Sequence, residues 1–368
     1  MEVRVKKGKI LVYRVFDIGS EIDLEKVEAL FEDKKLKERF KLDRKHNMAL
    51  IISNSPVSIQ LGTVEINLLD DIIQAELVAK VWHFGTVSLC FQIPIPENTS
   101  WTQLVEIAAW IEKRDEKIEL LAREKSKEFQ NDIKYAIPTL NDWVMNEDYV
   151  TYFIQEMEGF DGPLSTLVDK VDITALILAE SKEILSETLK KSTLEKIYQY
   201  SKDDLVIMDW NSALVVEPSG SMDVPLVIEF ALNQLLEMRY YDDLLDQRLN
   251  TLYNEVVGRK KGLLSNKYSM LAEEAGQIYL EISEIVENVE NSFKAVGDFY
   301  LATIFRATSK KFRFDDWQKS INEKLNNLAE VSKLLHSEVN ESRNHFLEII
   351  IILLITIEVV PFVYGLFK

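Results

Sequence analysis

Pairs of adjacent aspartates are the side chains in this sequence best suited to acid–base or cation chemistry. Neighbouring carboxylates can share a proton or bind a cation, because two like charges so close together disfavour full ionisation. Three such pairs are Asp203-Asp204, Asp242-Asp243 and Asp315-Asp316. The third pair opens a predicted helix, where the helix dipole favours acidic residues in any case, so helix capping is the competing explanation there.

No other pattern of residues predicts catalysis or a bound cofactor. The histidines are His46, His83, His336 and His345. None of them has a His, Cys or carboxylate at metal-ligand spacing, so no metal site is predicted. Gly258–Gly262 is a basic hinge rather than a phosphate loop, and Ser219-Gly-Ser221 lacks the flanks of a nucleophile elbow. The sequence therefore predicts a non-enzymatic protein without catalytic residues, metal or cofactor.

Arg239 and Asp242 interrupt an apolar stripe that runs along a predicted helix. Their spacing of three residues lets the two side chains pair on one helix face. Ion pairs in a helical seam usually set the register or the choice of partner. We therefore treat Arg239 and Asp242 as interface candidates, with a plain solvent-exposed face as the alternative.

The sequence ends in a long apolar run, Ile349–Phe367, with Glu358 and Tyr364 as its only ionisable side chains. Its length matches the ~20 residues that a helix needs to cross a bilayer, and it is apolar on every face. A buried core helix is the alternative. The sequence predicts a transmembrane tail anchor over 345–368, with Ile349, Leu354, Glu358, Pro361 and Phe367 in the span.

Glu358 would lie near the middle of that span, where a charged carboxylate costs ~2.5–3.5 kcal/mol. Burial there should raise its pKa, so that the protonated acid donates a hydrogen bond to Glu358 or Thr356 of another copy. Glu358 is therefore a third interface candidate, and a homo-oligomer is predicted. The alternative is that Glu358 is hydrated at a kink made by Pro361.

Charge and cysteine content restrict the partners and the compartment. The net charge of -18 works against direct nucleic-acid binding, because phosphate contacts need a basic surface. The lone Cys90 excludes an intrachain disulfide and suits a reducing compartment. The N-terminus lacks the apolar region of a signal peptide. The predicted location is the cytoplasmic (inner) membrane, in a single-pass arrangement whose soluble body faces the cytoplasm.

Two strand-rich sections precede a helical half. Residues 1–138 combine strands with a long helix that Ser100 should cap. Residues 139–222 contain a hairpin whose turn is Asp209–Ser212. The repeated order of strands and helices suggests two small ferredoxin-like modules, and the predicted fold class is α+β.

Residues 223–344 contain two matching heptad seams, which predict an antiparallel coiled-coil hairpin that acts as a stalk. Its second arm would continue into the membrane span, 345–368. Ser332 is the one polar member of the second seam. The principal seam residues are Leu264, Leu271, Ile278, Ile282, Ile285, Leu325, Leu328 and Leu335.

The helical half resembles bacterial relatives of the Rmd/Sif family, whose eukaryotic members are named "required for meiotic nuclear division". The resemblance rests on Glu229–Asp242, Gly297–Leu301, Glu341–Arg343, Leu347–Ile352 and Ile357–Val360. It implies a membrane-anchored, non-enzymatic bacterial protein, and it suggests a tethering role related to ribosomes.

The leading functional prediction is a membrane-anchored scaffold or tether that recruits a cytosolic protein assembly through an unknown protein partner. The alternative is a small-molecule sensor or enzyme whose site lies between the two α+β modules. Polar side chains lining that junction would favour the alternative.

Overall fold

The computed structural model describes residues 2–31, 37–39, 55–69, 71–141, 143–257, 266–292 and 299–366. It divides the chain into two compact units. Unit 1 consists of Met1–Glu237 and Ser292–Phe314, and unit 2 consists of Met238–Asn291 and Asp315–Lys368.

The strands are β1 (Arg4–Asp17), β2 (Lys37–Arg39), β3 (Val57–Leu68), β4 (Asp71–Val81), β5 (Thr86–Pro94), β6 (Thr99–Ser100), β7 (Asn146–Glu158), β8 (Leu205–Met208) and β9 (Ser212–Val216). The helices are α1 (Leu24–Leu30), α2 (Trp101–Lys113), α3 (Asp115–Ile133), α4 (Ile173–Ile177), α5 (Glu187–Thr193), α6 (Asp223–Val257), α7 (Asn266–Ser292), α8 (Phe299–Lys311) and α9 (Phe314–Leu366).

One mixed sheet holds all the strands of unit 1, in the order β2-β3-β4-β5-β1-β7-β9-β8, with β6 paired to β1. β1 lies in the middle and pairs antiparallel with β5 on one side and β7 on the other. The pairing of β7 with β9 is parallel. The α+β class stands, but the expectation of two small ferredoxin-like modules is wrong, because β1 hydrogen-bonds to strands of both sections.

α2 and α3 cover one face of this sheet. Ser100 caps α2 as predicted: its side chain accepts from the Gln103 N–H, and the Gln103 side chain accepts from the Ser100 N–H, which completes a capping box. The buried stripe of α2 includes Leu104, Ala108 and Ile111. This stripe packs into the same apolar core as Val12 and Phe91 of the sheet.

The first part of α6 and α8 are buried in unit 1 through aromatic contacts. The Phe230 ring of α6 lies 5.5 Å from the Trp82 ring and 5.8 Å from Phe305 of α8. The Phe312 ring lies edge-on to Tyr149 of β7 at 5.5 Å. Tyr149 and Trp82 are both fully buried.

The chain makes a close backbone contact after β1. Gly85 has a φ of +109°, and a Cβ atom added there would lie 2.0 Å from the Gly19 carbonyl oxygen. The Asp17 carboxylate, 5% exposed, accepts from the Gly19 N–H at 3.1 Å. Asn141 donates its backbone N–H to the Ile18 carbonyl in the same place.

Three described helices contribute to unit 2. Asp242 and Asp246 of α6 contact Ser320 and Lys324 of α9 respectively, so α6 and α9 run parallel. α7 runs antiparallel to them: its Ala272 carbonyl accepts from Ser332 of α9, and its Glu274 pairs with Arg248 of α6. The coiled-coil stalk over 223–344 stays a prediction, and α6 lies against both α7 and α9.

The seam residues of unit 2 fall on the inward side of these helices. Leu271, Ile278, Ile282, Leu325, Leu328 and Leu335 are all buried. Ser332 is half-buried and is satisfied by its hydrogen bond to Ala272. Leu264 and the side chain of Ile285 lie outside the described residues.

The predicted transmembrane tail anchor is wrong, because no helix within the described ranges combines the length and the apolarity that crossing a membrane requires. Ile349 and Leu354 are exposed residues of α9. The side chains of Glu358 and Pro361, and all of Phe367, lie outside the described residues.

Three predictions that depended on the anchor are corrected with it. The membrane as a partner, the single-pass arrangement and the location in the inner membrane all required a spanning helix, and the described part of the chain contains none.

Candidate functional site

The two strand-rich sections meet at a cluster of charged side chains. Arg14 of β1 lies directly opposite Asp148 of β7 in the antiparallel register. The Arg14 side chain is 1% exposed, and its guanidinium forms ion pairs with Asp115, and with Glu119 at 3.4 Å. Its Nη1 also donates to the Tyr13 carbonyl at 2.8 Å. We call Arg14, Glu112, Asp115, Glu119 and Asp148 the junction cluster.

Glu119 is held from several sides. Arg123, one turn along α3, forms an ion pair with its Oε1 at 2.5 Å. Asn146 donates to Oε2 at 2.6 Å and accepts from Arg123 at 3.0 Å. Two of these contacts are ion pairs that lack hydrogen-bond geometry: the one from Arg14 Nε to Glu119, and the one from Arg123 to Glu119 Oε1. Two arginines and an amide thus fix the position of one carboxylate.

Two carboxyl groups of the junction cluster have raised pKa values. Asp148 and Glu112 keep solvent access at the surface. Partial desolvation by the surrounding protein is the main cause of the raised pKa of Asp148; the charge of Arg14 opposes the shift, and the charges of Asp115 and Glu119 add to it. Partial desolvation also raises the pKa of Glu112, with contributions from Asp115 and Asp148. Carboxyls that keep a proton to higher pH can act as acids, bases or hydrogen-bond donors.

A metal ion is not favoured at the junction cluster. Within the described ranges, no group of three or more His, Cys, Asp or Glu side chains has a geometry that could hold one. Arg14 occupies the centre of the carboxylates and already neutralises part of their charge.

A second polar cluster lies beneath α6, inside unit 1. The Lys80 ammonium of β4 forms an ion pair with the Glu229 carboxylate of α6, and Ser88 of β5 donates to the same carboxylate. Thr86 donates to the Asn233 side-chain oxygen at 2.6 Å. Glu229 and Asn233 are fully buried, whereas Lys80 is 13% exposed. We call these five side chains the α6 lock.

Two groups beside the α6 lock are of types that enzymes use as nucleophiles or acids. Burial, reinforced by the charge of Glu229, raises the pKa of the Cys90 thiol. Burial also raises the pKa of the Tyr13 phenol, with Cys90 and Glu229 as lesser causes. Both groups therefore stay protonated at neutral pH, and a buried thiol is unreactive.

The residues predicted as an interface have partners within unit 2. The Arg239 guanidinium lies 5.8 Å from the centre of the Trp317 ring. Asp242 forms an ion pair with Lys324 at 2.8 Å and accepts from Ser320 at 2.6 Å. The structure thus places Arg239 and Asp242 against α9. A role in binding another chain stays a prediction, and so does that of Glu358, whose side chain lies outside the described residues.

One aspartate pair has a structural use. Asp204 accepts from the backbone N–H groups of Tyr200 and Ser201 and from the Tyr300 hydroxyl. These contacts explain its burial, since a buried carboxylate needs hydrogen-bond donors. Asp203 beside it has its backbone N–H bonded to the Ser201 hydroxyl.

The residues of both clusters were not predicted from the sequence. Arg14 and Lys80 were visible as lone cations inside apolar strands, and Glu229 as an acid inside an apolar helix stretch. A charge at an inward-facing position is the signal that could have found them. Their partners could not be assigned, because they come from distant parts of the chain.

Comparison with known proteins places the chain in a family. A sequence model described as "Uncharacterized protein MJ0711, N-terminal domain" matches residues 7–223, more than half of the chain. "Uncharacterized protein MJ0711" of Methanocaldococcus jannaschii is 24% identical over 218 residues, which are 58% of this chain and 65% of that protein. The match thus spans just under two thirds of the relative. No solved structure matches. The chain therefore belongs to this family.

This result overturns the resemblance to the Rmd/Sif family, because the sequence model that matches is a different one. It also corrects the expectation of a bacterial protein, since the similar protein is archaeal. The residues quoted for the resemblance lie beyond residue 223, outside the matched stretch.

Proposed function

We propose, for a chain that belongs to this family, that it is a non-enzymatic scaffold which binds a protein partner through its surface. The observation that carries the proposal is the α6 lock. The residue types there that could do chemistry are buried and bonded to one another, so they serve to attach α6 to the sheet.

The ion pair between Lys80 and Glu229 supports this reading. A charged pair inside a protein stabilises little beyond what a well-packed apolar pair would, but it selects one arrangement of the elements that it joins. Here it joins β4 to α6. The pair therefore attaches the part of α6 that belongs to unit 1.

Accessibility argues in the same direction. Cys90 is buried, and Lys80 is largely so. The Cys90 thiol therefore offers a substrate almost no surface, and the Lys80 ammonium is occupied by Glu229. A scaffold needs no such access, since its partner contacts the exterior.

The proposal is tested by site-specific photo-crosslinking in cells. A photoreactive amino acid replaces the exposed Trp210 in one variant and the exposed Leu120 in another. We expect at least one position to capture a defined protein, identified by mass spectrometry, which then forms a saturable complex with the purified chain. Failure of every captured protein to form such a complex would refute the scaffold.

The junction cluster favours a second candidate function, a small-molecule sensor or enzyme. It lies where β1 of the first section pairs with β7 of the second, and its carboxyls have raised pKa values beside an arginine. This combination is typical of acid–base sites. A metabolite screen by thermal shift tests it: a ligand whose effect disappears in Asp148→Asn would support a site there.

A further inference from the structure

We propose that the solvent-exposed face of α8, together with Trp210, binds an acidic segment of the partner protein. This inference rests on the proposed scaffold function and adds the chemistry of the partner. We call Trp210, Arg306 and Lys310 the α8 strip.

The segment that forms α8 differs in charge from the rest of the chain. Residues 299–314 contain no Asp or Glu, whereas the whole chain has 61 acidic and 43 basic residues. The same sixteen positions carry Arg306, Lys310, Lys311 and Arg313. A local surface of positive sign therefore stands on a protein whose net charge is -18.

The helix presents two of these cations to solvent. Its buried residues are Leu301, Ile304, Phe305 and Thr308. Arg306 and Lys310 are four residues apart, so they lie one turn apart on the opposite side, and both are exposed. Among the described residues, neither forms an ion pair.

Helix capping does not explain the whole pattern. Cations in the last turn, such as Lys310 and Lys311, interact favourably with the negative end of the helix dipole. Arg306 lies in the middle of α8, where that effect has faded. Lys311 is also occupied by an ion pair with Asp209 at 3.1 Å.

Trp210 supplies a rigid apolar contact beside the cations. It is 67% exposed at the turn between β8 and β9. The backbone of this turn is fixed, because Tyr149 donates to the Ser212 carbonyl at 2.8 Å and Asp209 N–H donates to the same carbonyl. Exposed tryptophans held on ordered backbone are common binding hot spots, since little conformational entropy is lost on contact.

Contacts between α8, β8 and the turn that follows β8 connect the two parts of the α8 strip. Thr308 lies 3.4 Å from the sulfur of Met208, and Lys311 pairs with Asp209. The last turn of α8 thus lies beside the turn that carries Trp210. An acidic segment whose large apolar residue contacts Trp210 would continue along the exposed face of α8 to reach Lys310 and then Arg306.

Single-stranded nucleic acid fits the α8 strip less well. Such ligands bind through several aromatic platforms along a continuous basic groove, and the strip has one exposed tryptophan. A long polyanion would also be repelled by the acidic remainder of the protein. A short acidic peptide carries few charges and avoids most of that repulsion.

The test selects peptides from a random 12-residue display library on the purified full-length chain. We expect the enriched peptides to combine Asp or Glu with Trp, Phe or Leu. Their binding should weaken roughly 30-fold in the double variant R306E/K310E and about tenfold in Trp210→Ser. It should also weaken as salt concentration rises, since the contacts are ionic and exposed.

Matched controls exclude general effects. Lys113→Glu with Lys117→Glu reverses two other exposed cations four residues apart, and Tyr135→Ser removes another exposed aromatic. Both should change affinity less than about twofold. Unchanged thermal melting of every variant should accompany these results, because all the substituted side chains are exposed.

Each of the following outcomes overturns the inference. Selected peptides could lack acidic residues, or they could bind R306E/K310E as well as the natural chain. A dT20 oligonucleotide could bind with the same dependence on Arg306 and Lys310 while acidic peptides fail to compete. A crosslinked partner whose binding ignores these variants would refute the α8 strip and leave the scaffold in place, whereas the absence of any saturable partner would refute both.

Discussion

Lys80 and Glu229 form an ion pair inside unit 1 although they are 149 positions apart in the sequence. The lysine stands on a strand and the glutamate on the helix that crosses into unit 2. The pair therefore joins α6 to the sheet, and the free energy that it contributes measures the strength of that attachment.

Removing one member of this pair should destabilise the protein strongly. Lys80→Met leaves the Glu229 carboxylate buried without its counter-charge, which costs about 3–5 kcal/mol. The double variant Lys80→Met/Glu229→Leu should recover most of that loss, because no charge remains inside. Urea unfolding followed by circular dichroism measures the three free energies.

A surface pair is the control for that experiment. Lys26 and Asp23 form an ion pair with both side chains exposed, so Lys26→Met should cost less than ~1 kcal/mol. Equal losses of unfolding free energy in Lys80→Met and Lys26→Met would mean that the α6 lock stabilises the protein no more than a surface ion pair does.

Gly85 should not tolerate a side chain. Both Gly85 and Gly62 have φ above +100°, so alanine at either position incurs backbone strain of ~1–2 kcal/mol. Only at Gly85 would the new Cβ also collide with backbone, 2.0 Å from the Gly19 oxygen. Gly85→Ala should therefore lower the melting temperature far more than Gly62→Ala, which has open space. Similar melting temperatures would contradict the close contact after β1.

Asp17 should make stability fall as the pH rises. Burial raises its pKa from 3.8 to about 7 in the folded protein, so the folded state binds the proton more tightly than the unfolded state. Its contribution is most favourable below pH 4 and is lost between about pH 4 and pH 7. The loss amounts to at most ~4 kcal/mol at 1.36 kcal/mol per pKa unit.

The difference between the natural chain and Asp17→Asn isolates this effect from all other carboxylates. Urea unfolding from pH 4 to pH 8 should show Asp17→Asn gaining stability relative to the natural chain as pH rises. Asp23→Asn is a control that should stay flat over this range, because hydrogen bonds from Lys26 lower the pKa of Asp23, so its carboxyl loses its proton below about pH 4 in both the folded and the unfolded chain. A pH-independent difference for Asp17→Asn would show that its carboxyl is ionised throughout.

Ile282→Asp should disrupt unit 2. Ile282 is 2% exposed on α7, and an unpaired carboxylate there costs several kcal/mol. Leu280→Asp, two residues earlier, changes a side chain that is 68% exposed and should be nearly neutral. Circular dichroism melting compares the two variants, and equal melting curves would contradict the packing of the seam.

Local features of the fold could be predicted from the sequence. The N-cap at Ser100 and the hairpin turn Asp209–Ser212 were both recognisable, and the structure confirms them. Each depends on a few consecutive residues whose conformational preferences agree with the final fold. The period of apolar residues likewise indicated α2, because one helix face must be buried whatever covers it.

Long-range pairing could not be predicted in the same way. The alternation of residues in β1 and β7 marks both as strands, but it does not say that they are neighbours. Joining them creates the junction cluster around Arg14 and Asp148, so the cluster was invisible for the same reason. Arg239 and Asp242 were paired with each other because only their own helix could be considered, whereas their partners Trp317 and Lys324 lie on α9.

The division of α6 between the two units also bears on where the chain can be cut. A fragment that stops at residue 223, the end of the family match, keeps Lys80, Thr86 and Ser88 but lacks the helix residues that satisfy them. We expect such a truncated product to aggregate. Unit 1 is discontinuous in sequence, because it consists of Met1–Glu237 and Ser292–Phe314. Shortening this protein therefore calls for a linker in place of residues 238–291 rather than a simple stop codon.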